Sequence, residues 1–142
     1  MTIVKKASAE WSGGLKDGKG AISTESGALE KYPYGFAARF EGQKGTNPEE
    51  LVGAAHAGCF TMALSLILGE AGLTASKMET KAEISLEKQD DGFAITASHL
   101  TLRAEIPGAS EDQFQELAEK AKANCPLSKL LNAKITLDAK LV

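Results

Sequence analysis

The sequence predicts an α+β fold in which antiparallel sheets pack around a long buried central helix and a second, amphipathic helix. Three observations carry this. Residues 51–69 contain no charged side chain, and a helix without a polar face belongs in an interior. Short segments on either side of that run alternate apolar with polar residues and meet at glycine-containing turns, the pattern of hairpins. A later stretch repeats its apolar residues at helical spacing behind a capping sequence. At 142 residues and 14.9 kDa the chain is the size of one domain, residues 1–142.

At the start of the chain, Ile3, Lys5, Ala7, Ala9 and Trp11 fall on one alternating set, and Gly13-Gly14 and Asp17-Gly18 punctuate turns. Further strands are expected near 20–24 and 34–40. The long helix is well marked. Thr46 or Asn47 caps it, Pro48 suits its first position, and Glu49 and Glu50 place carboxylates where the helix dipole favours them. Gly69 and Gly72 mark its end. In 81–88, Ala82, Ile84 and Leu86 alternate with Glu83, Ser85 and Glu87. Asp90-Asp91-Gly92 turns the chain into a returning strand over 93–106. Ser110-Glu111-Asp112-Gln113 is a capping box, and Phe114, Leu117, Ala118 and Ala121 form the stripe of a helix reaching about Asn124. Cys125-Pro126 interrupts it. A short helical turn through Leu130-Leu131 and a strand over 133–141 close the chain.

Composition excludes several classes. Sixteen Lys and Arg against nineteen Asp and Glu leave a net charge of −3 without a basic stripe, so no nucleic-acid partner is expected. Two cysteines are too few for a disulfide scaffold or a thiolate zinc site. The uncharged run is long enough to cross a bilayer. Its small and polar residues, among them Gly53, Ala54, His56, Gly58, Thr61 and Ser65, and its acidic flanks favour a core helix and no membrane. Met1-Thr2-Ile3-Val4-Lys5-Lys6 has no apolar signal region, so the expected compartment is the cytoplasm, where thiols stay reduced.

The cysteines sit in different contexts. Cys59 lies about three turns inside the long helix, far from either end. Cys125 lies at a junction, because Pro126 forces it out of helical geometry. A helix starting at Pro126 would turn its first amides toward a Cys125 thiolate. Both residues also suit plain burial as small apolar side chains. A reactive Cys59 needs a cation, and only two arginines exist, Arg39 in an aromatic-flanked segment and Arg103 in a solvated strand. Glu49 precedes Cys59 by ten residues, about 15 Å along one helix. The two meet only if the helix packs against its own copy in a dimer; otherwise Glu49 serves the helix dipole alone. His56 is one turn before Cys59. It reads as a base for a cysteine hydrolase, as a metal ligand beside both thiols, or as a packed core histidine. The cysteine and histidine spacing matches no familiar zinc pattern, so no metal or other cofactor is expected.

The stretch from Phe40 through Gly45-Thr46-Asn47-Pro48-Glu49-Glu50 to His56-Ala57-Gly58-Cys59-Phe60 resembles the OsmC (osmotically inducible protein C) branch of the OsmC/Ohr thiol-dependent peroxidase family. Pro33-Tyr34-Gly35-Phe36, Gly69-Glu70-Ala71-Gly72, Ala121-Lys122-Ala123-Asn124-Cys125-Pro126 and Ile135-Thr136-Leu137-Asp138 extend the resemblance over essentially the whole chain. The resemblance implies an intertwined homodimer with active sites at the subunit interface. It implies reduction of organic hydroperoxides, and more weakly of hydrogen peroxide, as an antioxidant response to oxidative and osmotic stress. Residue by residue, Cys59 matches the peroxidatic thiol, Cys125 the resolving thiol, Glu49 the motif carboxylate and Arg39 the arginine of the OsmC branch. In the Ohr branch the arginine comes from an earlier turn, which here reads Lys16-Asp17-Gly18-Lys19. The expected reductant is a dithiol, lipoylated proteins being the family expectation. Two other readings stand beside this one: a non-catalytic small-molecule-binding stress protein with structural cysteines, and a Cys/His hydrolase using His56.

Overall fold

The computed structural model describes all 142 residues, and the chain divides into two compact units, Met1–Leu51 and Val52–Val142. The first unit holds strands β1 (Ala7–Ser12), β2 (Lys19–Thr24) and β3 (Tyr32–Tyr34), paired antiparallel in that order. The Trp11 and Tyr34 rings meet edge to face with centroids 5.5 Å apart. They lie over Gly20, where a Cβ would sit 2.5 and 2.6 Å from them. That position therefore needs glycine.

The strand expected over 34–40 stops at Tyr34, and Phe36–Phe40 is a short helix, α1. Phe36 and Phe40 share a face in either geometry, so parity does not separate helix from strand here. The intervening Ala37, Ala38 and Arg39 are strong helix formers and decide it. The two rings meet at 5.0 Å, the i,i+4 contact of a helix. No apolar side chain of this unit is buried; its buried residues are Thr46 and Glu49.

Helix α2 (Pro48–Glu70) opens as its sequence indicates, with Asn47 Oδ1 accepting the Glu50 amide at 2.8 Å. In the second unit it packs on a three-stranded sheet of β4 (Lys77–Gln89), β5 (Gly92–Glu105) and β6 (Lys134–Leu141). β4 and β5 form a long antiparallel hairpin. β6 pairs with β5 in parallel, which departs from an all-antiparallel expectation. A parallel partner needs a crossover. Helices α3 (Glu111–Asn124) and α4 (Pro126–Leu130) supply it. Ser110 Oγ caps α3 by accepting the Gln113 amide. The register aligns Ala82, Leu100 and Leu137 across the sheet, and Thr80, Leu102 and Ala139 beside them.

That row is the floor of the core. Phe60, Leu64, Ile67 and Leu68 of α2 and Phe114, Ala118 and Ala121 of α3 pack with Leu100, Leu102 and Ala104. Gly53 brings α2 close to the sheet: a Cβ there would stand 3.3 Å from Ile84 Cγ1. The side of α2 turned away from this core stays open. Ala54, Ala55, Gly58, Met62, Ser65, Leu66 and Gly69 are exposed, Met62 at 77% and Leu66 at 66%. By length and composition α2 is apolar enough to cross a membrane, but its other face is the core of this unit.

Candidate active site

In the first unit, α1 presents Arg39 to the start of α2. Its Nε donates to Glu49 Oε1 at 2.7 Å. Glu49 is buried, and its second oxygen, Oε2, is buried without a partner. Phe40 lies under the guanidinium, with Cζ 5.2 Å from the ring centroid. A single Nε contact leaves the terminal nitrogens of the fork free to receive charge from elsewhere. Arg103, the other arginine, is exposed on β5.

The two cysteines come together in the second unit, both as free thiols. Cys59 lies half-buried on α2 and Cys125 is fully buried. Cys125 is both the last cap of α3 and the first cap of α4, in extended backbone geometry. Its Sγ accepts the Ser128 amide at 3.4 Å. Burial pushes the Cys59 thiol up; the neighbouring Cys125 side chain, through charge and hydrogen bonding, pushes the same way, and the Leu127 amide opposes both. The first turn of α4 thus directs the Ser128 amide to the Cys125 sulfur and brings the Leu127 amide near Cys59. From the sequence this turn was expected to serve Cys125 only. Pro126 marked where the amides would be, but not that Cys59 would lie in front of them.

His56 is fully buried. Its Nδ1 lies 2.6 Å from Ser98 Oγ and its Nε2 2.9 Å from Ser128 Oγ, so two serines occupy both ring nitrogens. Burial holds the imidazole below its ordinary pKa and hence neutral at pH 7. Ser128 also stands 3.1 Å from Cys125 Sγ. His56 is thus a buried histidine with both ring nitrogens hydrogen-bonded. It is tied to the second cysteine rather than the first. Sequence reasoning did not single out Ser98 or Ser128. His99, on the opposite face of β5, bonds Thr136. No group of three or more His, Cys, Asp or Glu side chains is arranged to hold a metal ion.

Glu49 belongs to the first unit and Cys59 to the second. The geometry therefore consists of two pairs, Arg39 with Glu49 and Cys59 with Cys125.

A family model described as "OsmC-like protein" matches residues 41–140. The chain is 57% identical over 141 residues to "Peroxiredoxin OsmC" of Escherichia coli (strain K12), covering 99% of each. It is 31% identical over 123 residues to "Organic hydroperoxide resistance protein OhrB" of Bacillus subtilis (strain 168), covering 86% of this chain and 88% of that one. The crystal structure of B. subtilis OhrB superposes with a TM-score of 0.68 at 29% identity, over 96% of this chain and 98% of that one. The OsmC-like protein from Mycoplasma pneumoniae shares the fold, with a TM-score of 0.77 at 19% identity over 100% of this chain and 99% of that one.

Proposed function

The chain belongs to the OsmC-like protein family, and we propose that it is a two-cysteine peroxidase reducing organic hydroperoxides to alcohols, and more weakly hydrogen peroxide to water. The observation that carries this reading is the pair of free thiols, Cys59 and Cys125, neighbours at the start of α4. The Cys59 thiolate attacks the distal oxygen of ROOH and breaks the O–O bond. ROH leaves, taking up a proton, and Cys59 becomes a sulfenic acid. Cys125 attacks that sulfur, water departs, and the two form a disulfide that an external dithiol, such as a lipoylated protein, reduces.

The first step needs a cation, because burial alone leaves Cys59 a poor nucleophile at neutral pH. We assign that role to Arg39, held by Glu49 and delivered from a second copy of the chain. Two observations support a homodimer. The first unit buries no apolar side chain of its own, which a sheet of this size does not survive without cover. The open side of α2 repeats small and apolar residues, Ala55, Gly58, Met62, Ser65 and Gly69, at alternating steps of three and four, the seam of paired helices. The two units then act as one functional domain, with the Arg39–Glu49 pair of one protomer over Cys59 of its partner. The working compartment is the cytoplasm, where dithiols reset the disulfide.

Stopped-flow reduction of cumene hydroperoxide, with quenched samples weighed intact, tests the reading. Wild type should form the disulfide. Cys125→Ser, without added reductant, should consume one equivalent per chain and stop at the sulfenic acid, and Cys59→Ser should consume none. Peroxide consumption at the wild-type rate by Cys59→Ser overturns the proposal. Unreactive thiols in wild type would favour a non-catalytic binding protein, and ester or peptide cleavage indifferent to Cys125→Ser a hydrolase.

A further inference from the structure

A line of hydrogen bonds runs from Cys125 into the interior of the second unit. Cys125 Sγ stands 3.1 Å from Ser128 Oγ, Ser128 Oγ 2.9 Å from His56 Nε2, and His56 Nδ1 2.6 Å from Ser98 Oγ. His56, Ser98 and Cys125 have no exposed surface. Four side chains make it: Cys125 at the cap between α3 and α4, Ser128 of α4, His56 of α2 and Ser98 of β5.

Resolution requires Cys125 to lose a proton as its sulfur attacks. A fully buried thiol has no water at hand to take it. We infer that Ser128 and His56 form a proton relay for the resolving step, Ser128 receiving the proton of Cys125 and His56 accepting one from Ser128. The inference rests on the reading of Cys125 as the resolving thiol. Each donor then donates once. His56 Nδ1–H donates to Ser98, which leaves the Nε2 lone pair to accept Ser128 O–H. The Ser128 oxygen is left to accept the Cys125 S–H. The neutral imidazole that burial enforces is the form such a relay needs.

The step balances without an outside oxidant or reductant. The Cys125 S–H proton passes to Ser128 Oγ while the Ser128 hydroxyl proton passes to Nε2. The Cys125 sulfur forms the S–S bond as the S–O bond of the Cys59 sulfenic acid breaks. The departing hydroxide takes a proton back through Ser128, giving water and neutral His56. The Ser128 amide, already donating to Cys125 Sγ, steadies the sulfur as charge builds on it. Ser128 touches the reacting sulfur and is catalytic in this step; His56 acts through it and is a positioning residue, with Ser98 fixing its tautomer.

The titratable groups of this unit around the relay are few. Cys59 and Cys125 face it. Lys122 of α3 is held by Glu119 at 3.0 Å, Lys129 of α4 is exposed, and His99 lies on the other face of β5. A change of pH profile on altering Ser128 or His56 therefore reports on the relay.

The test times the two steps separately. The full-length protein receives one equivalent of cumene hydroperoxide without reductant, and quench-flow mass spectrometry follows sulfenic acid and disulfide between pH 7 and 8.5. Sulfenic acid should form in Ser128→Ala and His56→Gln at nearly the wild-type rate. Disulfide formation at pH 7 should slow about 10²-fold, the scale of general base catalysis. Wild-type resolution should vary little with pH, because its base stays neutral throughout. In the variants it should rise with pH, as attack by unassisted thiolate does. Ser128→Thr, which keeps the hydroxyl, should restore the wild-type profile. An unchanged disulfide rate in Ser128→Ala overturns the relay, and so does a slowed rate that stays flat with pH, which marks a structural role. If His56→Gln fails to fold, the half-buried Ser128→Ala decides alone. A wild type that forms sulfenic acid but no Cys59–Cys125 disulfide overturns the resolving role of Cys125 and the relay with it. Disulfide formation without the predicted profiles overturns the relay only.

Discussion

Arg39 holds Glu49 through Nε and not through its paired terminal nitrogens, at 2.7 Å, while Glu49 Oε2 stays buried and unpartnered. A guanidinium fixed from its side keeps the donors of its fork open. Arg39→Gln should therefore lower kcat/KM for cumene hydroperoxide about 10²- to 10³-fold, the cost of losing one preorganised donor. Glu49→Gln should cost less, since it loosens the arginine without removing it. Steady-state kinetics check both, and an unaltered kcat/KM in Arg39→Gln removes the arginine from the reaction.

If Arg39 acts on the partner's thiol, two inactive variants should rescue each other. Chains carrying Cys59→Ser, unfolded and refolded together with Arg39→Gln chains, should recover about a quarter of wild-type activity, because half the dimers are mixed and each has one intact site. Sites assembled within one chain give no recovery.

The open side of α2 supplies a separate test of assembly. Met62→Glu places a charge amid Ala55, Gly58 and Ser65, where a paired helix would have to bury it. Sedimentation velocity at micromolar concentration should show a dimer for wild type and dissociation for the variant. A monomeric wild type refutes the shared site.

Stability should depend on pH through His56. Its folded pKa lies below the ordinary value of about 6.5, so the unfolded chain binds the proton more readily. The contribution is complete above about pH 7.5 and is lost as pH falls through 6.5 toward the lowered folded value. Tm should drop between pH 7.5 and 5.5 in wild type. His56→Gln should melt lower at pH 7.5 yet show a shallower dependence; parallel curves would remove His56 as the source.

Phe114, fully buried where α3 meets the sheet, anchors the crossover to β6. Phe114→Ala should cost about 3–5 kcal/mol in urea denaturation at unchanged m-value. Ser110→Ala, which removes only the cap of α3, should cost about 1 kcal/mol. Equal losses would mean that packing at Phe114 contributes little.

How much of this was legible depended on range. Signals that act within one turn were readable: Asn47, Pro48, Glu49 and Glu50 opening α2, Ser110 with Gln113 opening α3, and Pro126 opening α4 after Cys125. Phe36 and Phe40 were ambiguous because spacing by four keeps side chains on one face in both helix and strand. The parallel pairing of β6 was hidden because alternation in one strand carries no direction. Arg39, Glu49, Cys59 and Cys125 stood out as candidates from residue type and position, but their roles came from family resemblance, which carries long-range information that local pattern lacks. Ser98 and Ser128 carry no such mark. A serine becomes a partner of His56 only once β5 and α4 are brought against α2.

Cys125 lies in the connection between β5 and β6 and not in either strand. The five-residue helix that follows it has no buried side chain, and the ladder bonds of the sheet do not pass through it. If Cys125 forms the proposed disulfide, displacement of its sulfur falls on one short segment while the sheet stays still. Amide hydrogen exchange would then divide the protein in two, with protection of β4, β5 and β6 alike in both oxidation states and the amides of α4 following the thiol.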